Sequence, residues 1–74
     1  MKKTPLDIIW ALEAAITRAY GQSISYKSSV CYRHGLYFLR LAYRDTLGGV
    51  RIPESATAYS RRAILALVRK LNGR

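Results

Sequence analysis

"CYRHGLYFLRLAYRD" (residues 31–45) alternates apolar and basic side chains with a period of two. From residue 36 on, the even-numbered residues are Leu36, Phe38, Arg40, Ala42 and Arg44, and the odd-numbered residues are Tyr37, Leu39, Leu41 and Tyr43. A period of two is the spacing of side chains on one face of a β-strand. The stretch therefore predicts a strand with one apolar face and one face where arginines stand beside Phe38.

A two-residue turn at His34 and Gly35 is predicted to fold residues 23–33 back on residues 36–44. Gly is favoured at the second turn position, and His enters the left-handed region more often than most residues. The apolar and basic faces then stay separate along the whole hairpin, which favours this register over a one-residue slip. The predicted pairs are Arg33–Leu36, Tyr32–Tyr37, Cys31–Phe38, Val30–Leu39, Ser29–Arg40, Ser28–Leu41, Lys27–Ala42, Tyr26–Tyr43 and Ser25–Arg44.

Two further segments have the apolar spacing of helices. The first is predicted over 5–20, because Thr4, Pro5 and Asp7 form an N-terminal signature close to a capping box and Gly21 follows. The second is predicted over 58–72, capped by Ser55 or Thr57. The apolar stripes are Leu6, Ile9, Leu12, Ile16 and Tyr20 in the first, and Ile64, Leu67, Val68 and Leu71 in the second.

A turn at 45–48 is predicted to lead into a third strand at 49–52, with Arg44 opposite Gly49 and Pro53 ending the strand. The sequence thus predicts one α+β domain over 1–74, in the order helix, three-stranded antiparallel sheet, helix. Because both helices need an apolar partner and only one sheet face is apolar, both are expected on that face.

The charge balance indicates an anionic partner. Thirteen Lys and Arg against four Asp and Glu leave a net charge of +9 on 74 residues. The excess positive charges repel one another, which destabilises the compact state. In a small basic domain, nucleic acid is the commonest partner that offsets this repulsion. The single cysteine excludes an intrachain disulfide, and we expect a cytoplasmic protein without a membrane segment. No metal site or cofactor is predicted, since the sequence has no His/Cys cluster and no phosphate-binding Gly loop.

The predicted nucleic-acid-binding residues lie on the basic sheet face and on the second helix. Arginine binds phosphate bidentately, and Phe38 could stack on a base or ribose. The positive end of a helix dipole repels two arginines at the helix start, and a bound phosphate would offset that repulsion. Two alternatives stay open: a solvated basic surface, or a dimer or partner patch of Leu36, Cys31 and Phe38. The predicted contacts are Lys27, Arg33, Phe38, Arg40, Arg44, Arg51, Arg61, Arg62 and Arg69.

This order of elements resembles the double-stranded-RNA-binding-domain fold. The stretch SRRAILALVRKL (60–71) is similar to that family's second helix, whose basic start grips phosphates. The resemblance implies that Arg61 and Arg62 match those cations and that His34 lies near a loop that reaches the minor groove. It favours RNA, whereas three-stranded-sheet readers such as the arm-binding domains of phage integrases would favour DNA.

The chain also resembles the HicA-type mRNA interferase toxins. YRHGLYFL (32–39) and VRIPESATAYSRRAILALVRKL (50–71) are similar to that family's core pattern. The resemblance implies that His34 is catalytic, as a general acid or base of a ribonuclease. The leading hypothesis remains a non-enzymatic binding module, with RNA favoured over DNA. The ribonuclease toxin is the second hypothesis. The third hypothesis is a phage or mobile-element protein whose basic face inhibits a host protein.

Overall fold

The computed structural model describes residues 3–73, which form three α-helices and two antiparallel sheets. The helices are α1 (Pro5–Tyr20), α2 (Gln22–Lys27) and α3 (Arg61–Asn72), and the strands are β1 (Ser29–Arg33), β2 (Leu36–Arg40), β3 (Tyr43–Arg44), β4 (Val50–Arg51) and β5 (Thr57–Tyr59). One sheet has the order β1-β2-β5, and β3 pairs with β4 in the other. The α+β class with a three-stranded antiparallel sheet is confirmed. Residues 1, 2 and 74 of the predicted domain lie outside the described range.

Helix α1 begins and ends where the sequence predicts. The Thr4 hydroxyl accepts from the Asp7 N–H at 3.2 Å, and the Asp7 carboxylate accepts from the Thr4 N–H at 3.1 Å. This reciprocal capping box satisfies two of the N–H groups that a helix start leaves unpaired. Gly21 ends the helix with φ at +96°, a conformation that side chains disfavour. The buried side of α1 is formed by Ile8, Leu12, Ala15 and Ile16.

The hairpin register is confirmed between residues 29 and 40. His34 (φ +52°) and Gly35 (φ +78°) form the turn, both in the left-handed region that a tight hairpin of this type requires. The observed pairs are Ser29–Arg40, Val30–Leu39, Cys31–Phe38, Tyr32–Tyr37 and Arg33–Leu36.

Residues 23–28 are not a strand, contrary to the predicted range 23–33. They lie mostly in the short helix α2, which buries Ile24 in the core. Ser28 ends this helix: its hydroxyl donates to the Ile24 carbonyl at 2.7 Å and accepts from the Ala42 N–H at 2.9 Å. The Ser28 hydroxyl thus pairs with the Ala42 N–H, which a longer hairpin would have paired with a backbone carbonyl. Tyr26 accordingly points outward and is 85% exposed.

The predicted strand 36–44 is interrupted at residues 41 and 42. Ala42, predicted on the basic face, is buried, whereas Tyr43, predicted on the apolar face, is exposed. Strand β3 then pairs only with β4, as Tyr43–Arg51 and Arg44–Val50. The predicted pair Arg44–Gly49 is therefore off by one residue, because the Asp45 N–H already donates to the Gly49 carbonyl at 2.9 Å in closing the turn.

The third strand of the main sheet is β5, not residues 49–52. It pairs with β2 as Tyr37–Tyr59, Phe38–Ala58 and Leu39–Thr57. Helix α3 consequently begins at Arg61 rather than 58, and its cap is Ser60, whose hydroxyl accepts from the Ala63 N–H at 3.1 Å. The segment 57–59 forms backbone hydrogen bonds with the open edge of β2 instead of starting the helix.

The core lies between the main sheet and the helices. Helix α1 packs against α3 and β1, and α3 packs against β2 and β5. Tyr37 and Leu39 of β2 are buried in this core with Ile64, Val68 and Leu71 of α3. Since side chains alternate across a strand, Phe38 and Arg40 lie on the opposite face of the sheet.

Candidate nucleic-acid interface

The face of the main sheet opposite the core has an aromatic centre between two arginines. Its middle row runs across the three strands as Cys31, Phe38 and Ala58. The next row on the same face, toward the turn, is the pair Arg33–Leu36. The next row in the other direction is the pair Ser29–Arg40. We call these side chains the Arg–Phe face: Cys31, Arg33, Leu36, Phe38, Arg40 and Ala58.

The Arg33 guanidinium is held by Phe38. Its central carbon lies 5.0 Å from the centre of the Phe38 ring, within cation–π range. Phe38 is half-buried, while Arg33 and Arg40 are exposed. The arrangement presents two charged forks and one ring on a single surface, and none of the residues that form β1, β2 and β5 is acidic.

The alternation of the predicted strands places five cations on this one sheet face, and that prediction is wrong; the five are Lys27, Arg33, Arg40, Arg44 and Arg51. Only Arg33 and Arg40 reach it, and each stands opposite an uncharged residue, so direct like-charge opposition between strands is avoided. Lys27 is instead the last residue of α2, with its Nζ 5.8 Å from the Tyr26 ring centre. Arg44 and Arg51 lie on the separate β3–β4 hairpin. Helix α2 removes Lys27 from the hairpin, and the break at residues 41–42 ends the alternation of the main sheet before Arg44.

A second cationic cluster lies at the turn end of the same sheet. The pair Tyr37–Tyr59 aligns the end of β5 with the start of β2, so α3 begins beside the turn that joins β1 to β2. Arg61 donates to the Lys3 carbonyl at 2.9 Å, and Arg62 is exposed. The start of α3 therefore lies toward the turn end of the sheet, with Arg61 bonded to the segment that precedes α1. Arg69 is separated from Arg61 and Arg62, in the last turn of α3, where a cation suits the helix dipole.

On the β3–β4 hairpin, part of the positive charge is neutralised. Arg51 Nε donates to Asp45 Oδ2 at 2.8 Å, and Asp45 Oδ1 accepts from the N–H groups of Leu47 and Gly49, both at 2.9 Å. Arg44 donates from Nη1 to the Gly48 carbonyl at 3.1 Å. Asp45 thus organises the turn, and Arg51 is less available to a ligand than Arg40.

The hairpin is expected to loosen in acid. The Arg51 side chain, and then the Gly49 N–H, hold the pKa of the Asp45 carboxyl below its ordinary value of 3.8. Because this folded-state pKa lies below the unfolded one, the stabilisation is complete above about pH 4 and is lost as pH falls through the lowered pKa. We expect Asp45→Asn to flatten the decline in stability between about pH 4 and pH 2, as followed by thermal unfolding in circular dichroism.

Asparagine at position 45 keeps the Oδ1 acceptor for the turn and removes only the charge. Glu54→Gln is the matched control, since it removes one exposed carboxylate outside the hairpin. Glu54→Gln should keep the acid sensitivity of the wild type. Equal acid sensitivity in Asp45→Asn and the wild type would contradict the role assigned to this carboxylate.

His34 is exposed in the tight turn, where its positive φ suits the hairpin. Its place in the sequence is thus accounted for by backbone conformation. The catalytic role suggested for it stays a prediction.

Sequence reasoning missed Ala58 and Tyr59, which bring the start of α3 to the edge of the Arg–Phe face. The signal was the β-prone sequence Thr57-Ala58-Tyr59 immediately before a good helix cap at Ser60. Sequence reasoning also missed the exposure of Tyr43, which follows from the break at residues 41–42.

None of the helices between residues 3 and 73 has the length and apolar character needed to cross a membrane. Comparison with protein-family models, with curated proteins and with solved structures found no match for this chain.

Proposed function

We propose that this protein binds nucleic acid, with RNA as the preferred partner, through the Arg–Phe face and the start of α3. The observation that carries the proposal is the half-buried Phe38 ring between two exposed arginines, on a sheet face turned away from the helices. A chain with a net charge of +9 gains most from a partner with many negative charges.

The chemistry of the Arg–Phe face fits a nucleotide better than an isolated anion. Arg33 and Arg40 supply planar forks that suit phosphate oxygens, and binding releases counterions from the nucleic-acid backbone. The Arg33 guanidinium lies over the Phe38 ring at 5.0 Å, so a base or a ribose would stack on this pair, since arginine planes stack on bases as aromatic rings do. Arg40 would bind a neighbouring phosphate.

Arg61 and Arg62 extend this surface past the turn end of the sheet. Backbone N–H groups at a helix start attract anions, and the two arginines add charge at that point. The resemblance of 60–71 to the second helix of double-stranded-RNA-binding domains supports RNA over DNA.

The test is a mobility-shift titration of the full chain with duplex RNA, single-stranded RNA, duplex DNA and single-stranded DNA at two salt concentrations. Four phosphate contacts, from Arg33, Arg40, Arg61 and Arg62, predict a loss of roughly 50- to 150-fold in affinity between about 50 and 200 mM salt. We expect tighter binding to RNA than to DNA at both. No shift with any of the four, together with a protein partner captured from nuclease-treated lysate, would replace this proposal with the host-inhibitor hypothesis.

A further inference from the structure

A cleft of about 450 Å³, which the sequence did not predict, lies between the end of α1, α2 and residues 41–44. Its floor is formed by Ile24 of α2 and by Leu41 and Ala42 of the link between β2 and β3. Its rim is formed by Tyr20 at the end of α1 and by Tyr43 and Arg44 of β3. An apolar floor with a few polar groups at the mouth is the usual composition of a ligand site, and the volume lies in the usual range.

We propose that this cleft receives one unpaired base of a bound nucleic acid, so that the preferred ligand is single-stranded or locally unpaired. The inference rests on the proposed function, and it adds the ligand's secondary structure and a second contact site. An aromatic ring at the rim and an apolar floor match the flat faces of a base, which proteins commonly stack on tyrosine.

The rim supplies a partner for the phosphate of the same nucleotide. Arg44 uses Nη1 to hold the Gly48 carbonyl at 3.1 Å, which fixes the side chain beside the cleft and leaves other N–H donors of its fork for a ligand. Tyr43 is 51% exposed, so its ring is accessible without rearrangement of the core.

The cleft and the Arg–Phe face are adjacent in sequence, on either side of the end of β2. Arg40 lies on that face, the next two residues form part of the floor, and Arg44 stands at the rim. Arg44 is four positions after Arg40, so their Cα atoms lie no more than roughly 14 Å apart. One strand of nucleic acid can therefore contact Arg40 with its backbone and place a neighbouring base in the cleft.

Charge excludes a second copy of this chain as the favoured occupant, because each copy carries +9 and the rim itself is basic. A fully paired duplex is excluded by geometry, since its bases are stacked and paired and enter a protein pocket only after extrusion. An unpaired nucleotide combines the negative charge, the flat ring and the access that the cleft requires.

The test compares wild type and Tyr43→Ala in fluorescence-anisotropy titrations with a single-stranded RNA and with the perfectly paired duplex of the same sequence. Loss of one stacking contact should weaken single-strand binding about tenfold and duplex binding less than about twofold. Tyr43→Phe keeps the ring and should bind the single strand within about twofold of wild type. A circular-dichroism melt checks that the exposed substitution leaves the fold intact.

Tyr26→Ala is the matched control, because Tyr26 is 85% exposed and lies outside this cleft. It should leave both affinities unchanged. Equal losses on single strand and duplex for Tyr43→Ala, or no loss on either, would overturn the base cleft and leave the Arg–Phe face in place. Failure of the wild type to bind either RNA would instead remove the proposed function and this inference together.

Discussion

The proposed function predicts that replacing both Arg33 and Arg40 with glutamate weakens nucleic-acid binding by about 100-fold at roughly 0.1 M salt. Each phosphate contact contributes close to one power of ten at that salt concentration, and each glutamate adds repulsion of its own. The logarithmic salt slope should also fall by about two, because two contacts are gone. Both side chains are exposed, so the fold should tolerate the change.

The control for net charge is Arg18→Glu with Lys70→Glu. Each arginine- or lysine-to-glutamate change lowers the charge by two, so either pair takes the chain from +9 to +5. Arg18 and Lys70 are exposed in the last turns of α1 and α3, away from the Arg–Phe face. This pair should cost less than about tenfold in affinity. Similar losses for the two double variants would mean that binding follows overall charge and that the Arg–Phe face has no special role.

Leu12→Ala will lower the free energy of unfolding by about 3 kcal/mol, the largest stability effect that we expect from a single substitution here. Leu12 has no exposed surface and packs in the core between α1, α3 and the sheet. Its truncation removes buried apolar area and leaves a cavity that a small core closes only in part. A domain of 74 residues has a total stability of only about 4 to 11 kcal/mol, so the variant should be close to unfolding.

Urea unfolding followed by circular dichroism measures this loss. Leu47→Ala is the matched control, because it makes the same chemical change at a turn residue that is 92% exposed. It should shift the free energy of unfolding by no more than about 0.5 kcal/mol. A loss below about 1 kcal/mol for Leu12→Ala would show that α1 does not pack into the core as described.

The features that could be predicted from sequence are those whose local signals agree with the tertiary fold. The turn at His34 and Gly35 fixed the register of 29–40, and the parity of that register places Arg33, Phe38 and Arg40 on one face. Helix α1 was equally predictable, since its capping box and its apolar stripe point to the same boundaries.

Other features depend on contacts between distant segments. Ile24 and Tyr26 alternate as in a strand, yet burial of Ile24 and the bonds of Ser28 to α2 and to Ala42 favour a short helix. That choice ends the long hairpin and separates Arg44 from the Arg–Phe face. The tyrosine-rimmed cleft is made by three segments that meet only in the folded chain, so periodicity could not predict it.

The most direct measurement is an NMR titration of the labelled full chain with a single-stranded RNA, following backbone amide shifts. The central claim is that strand alternation turns an arginine-flanked aromatic away from the helices and toward phosphate. It predicts the largest shift changes at Arg33, Phe38 and Arg40, with smaller ones at the start of α3. Changes confined to the outer side of α1 around Trp10 and Glu13, with β1 and β2 silent, would contradict it.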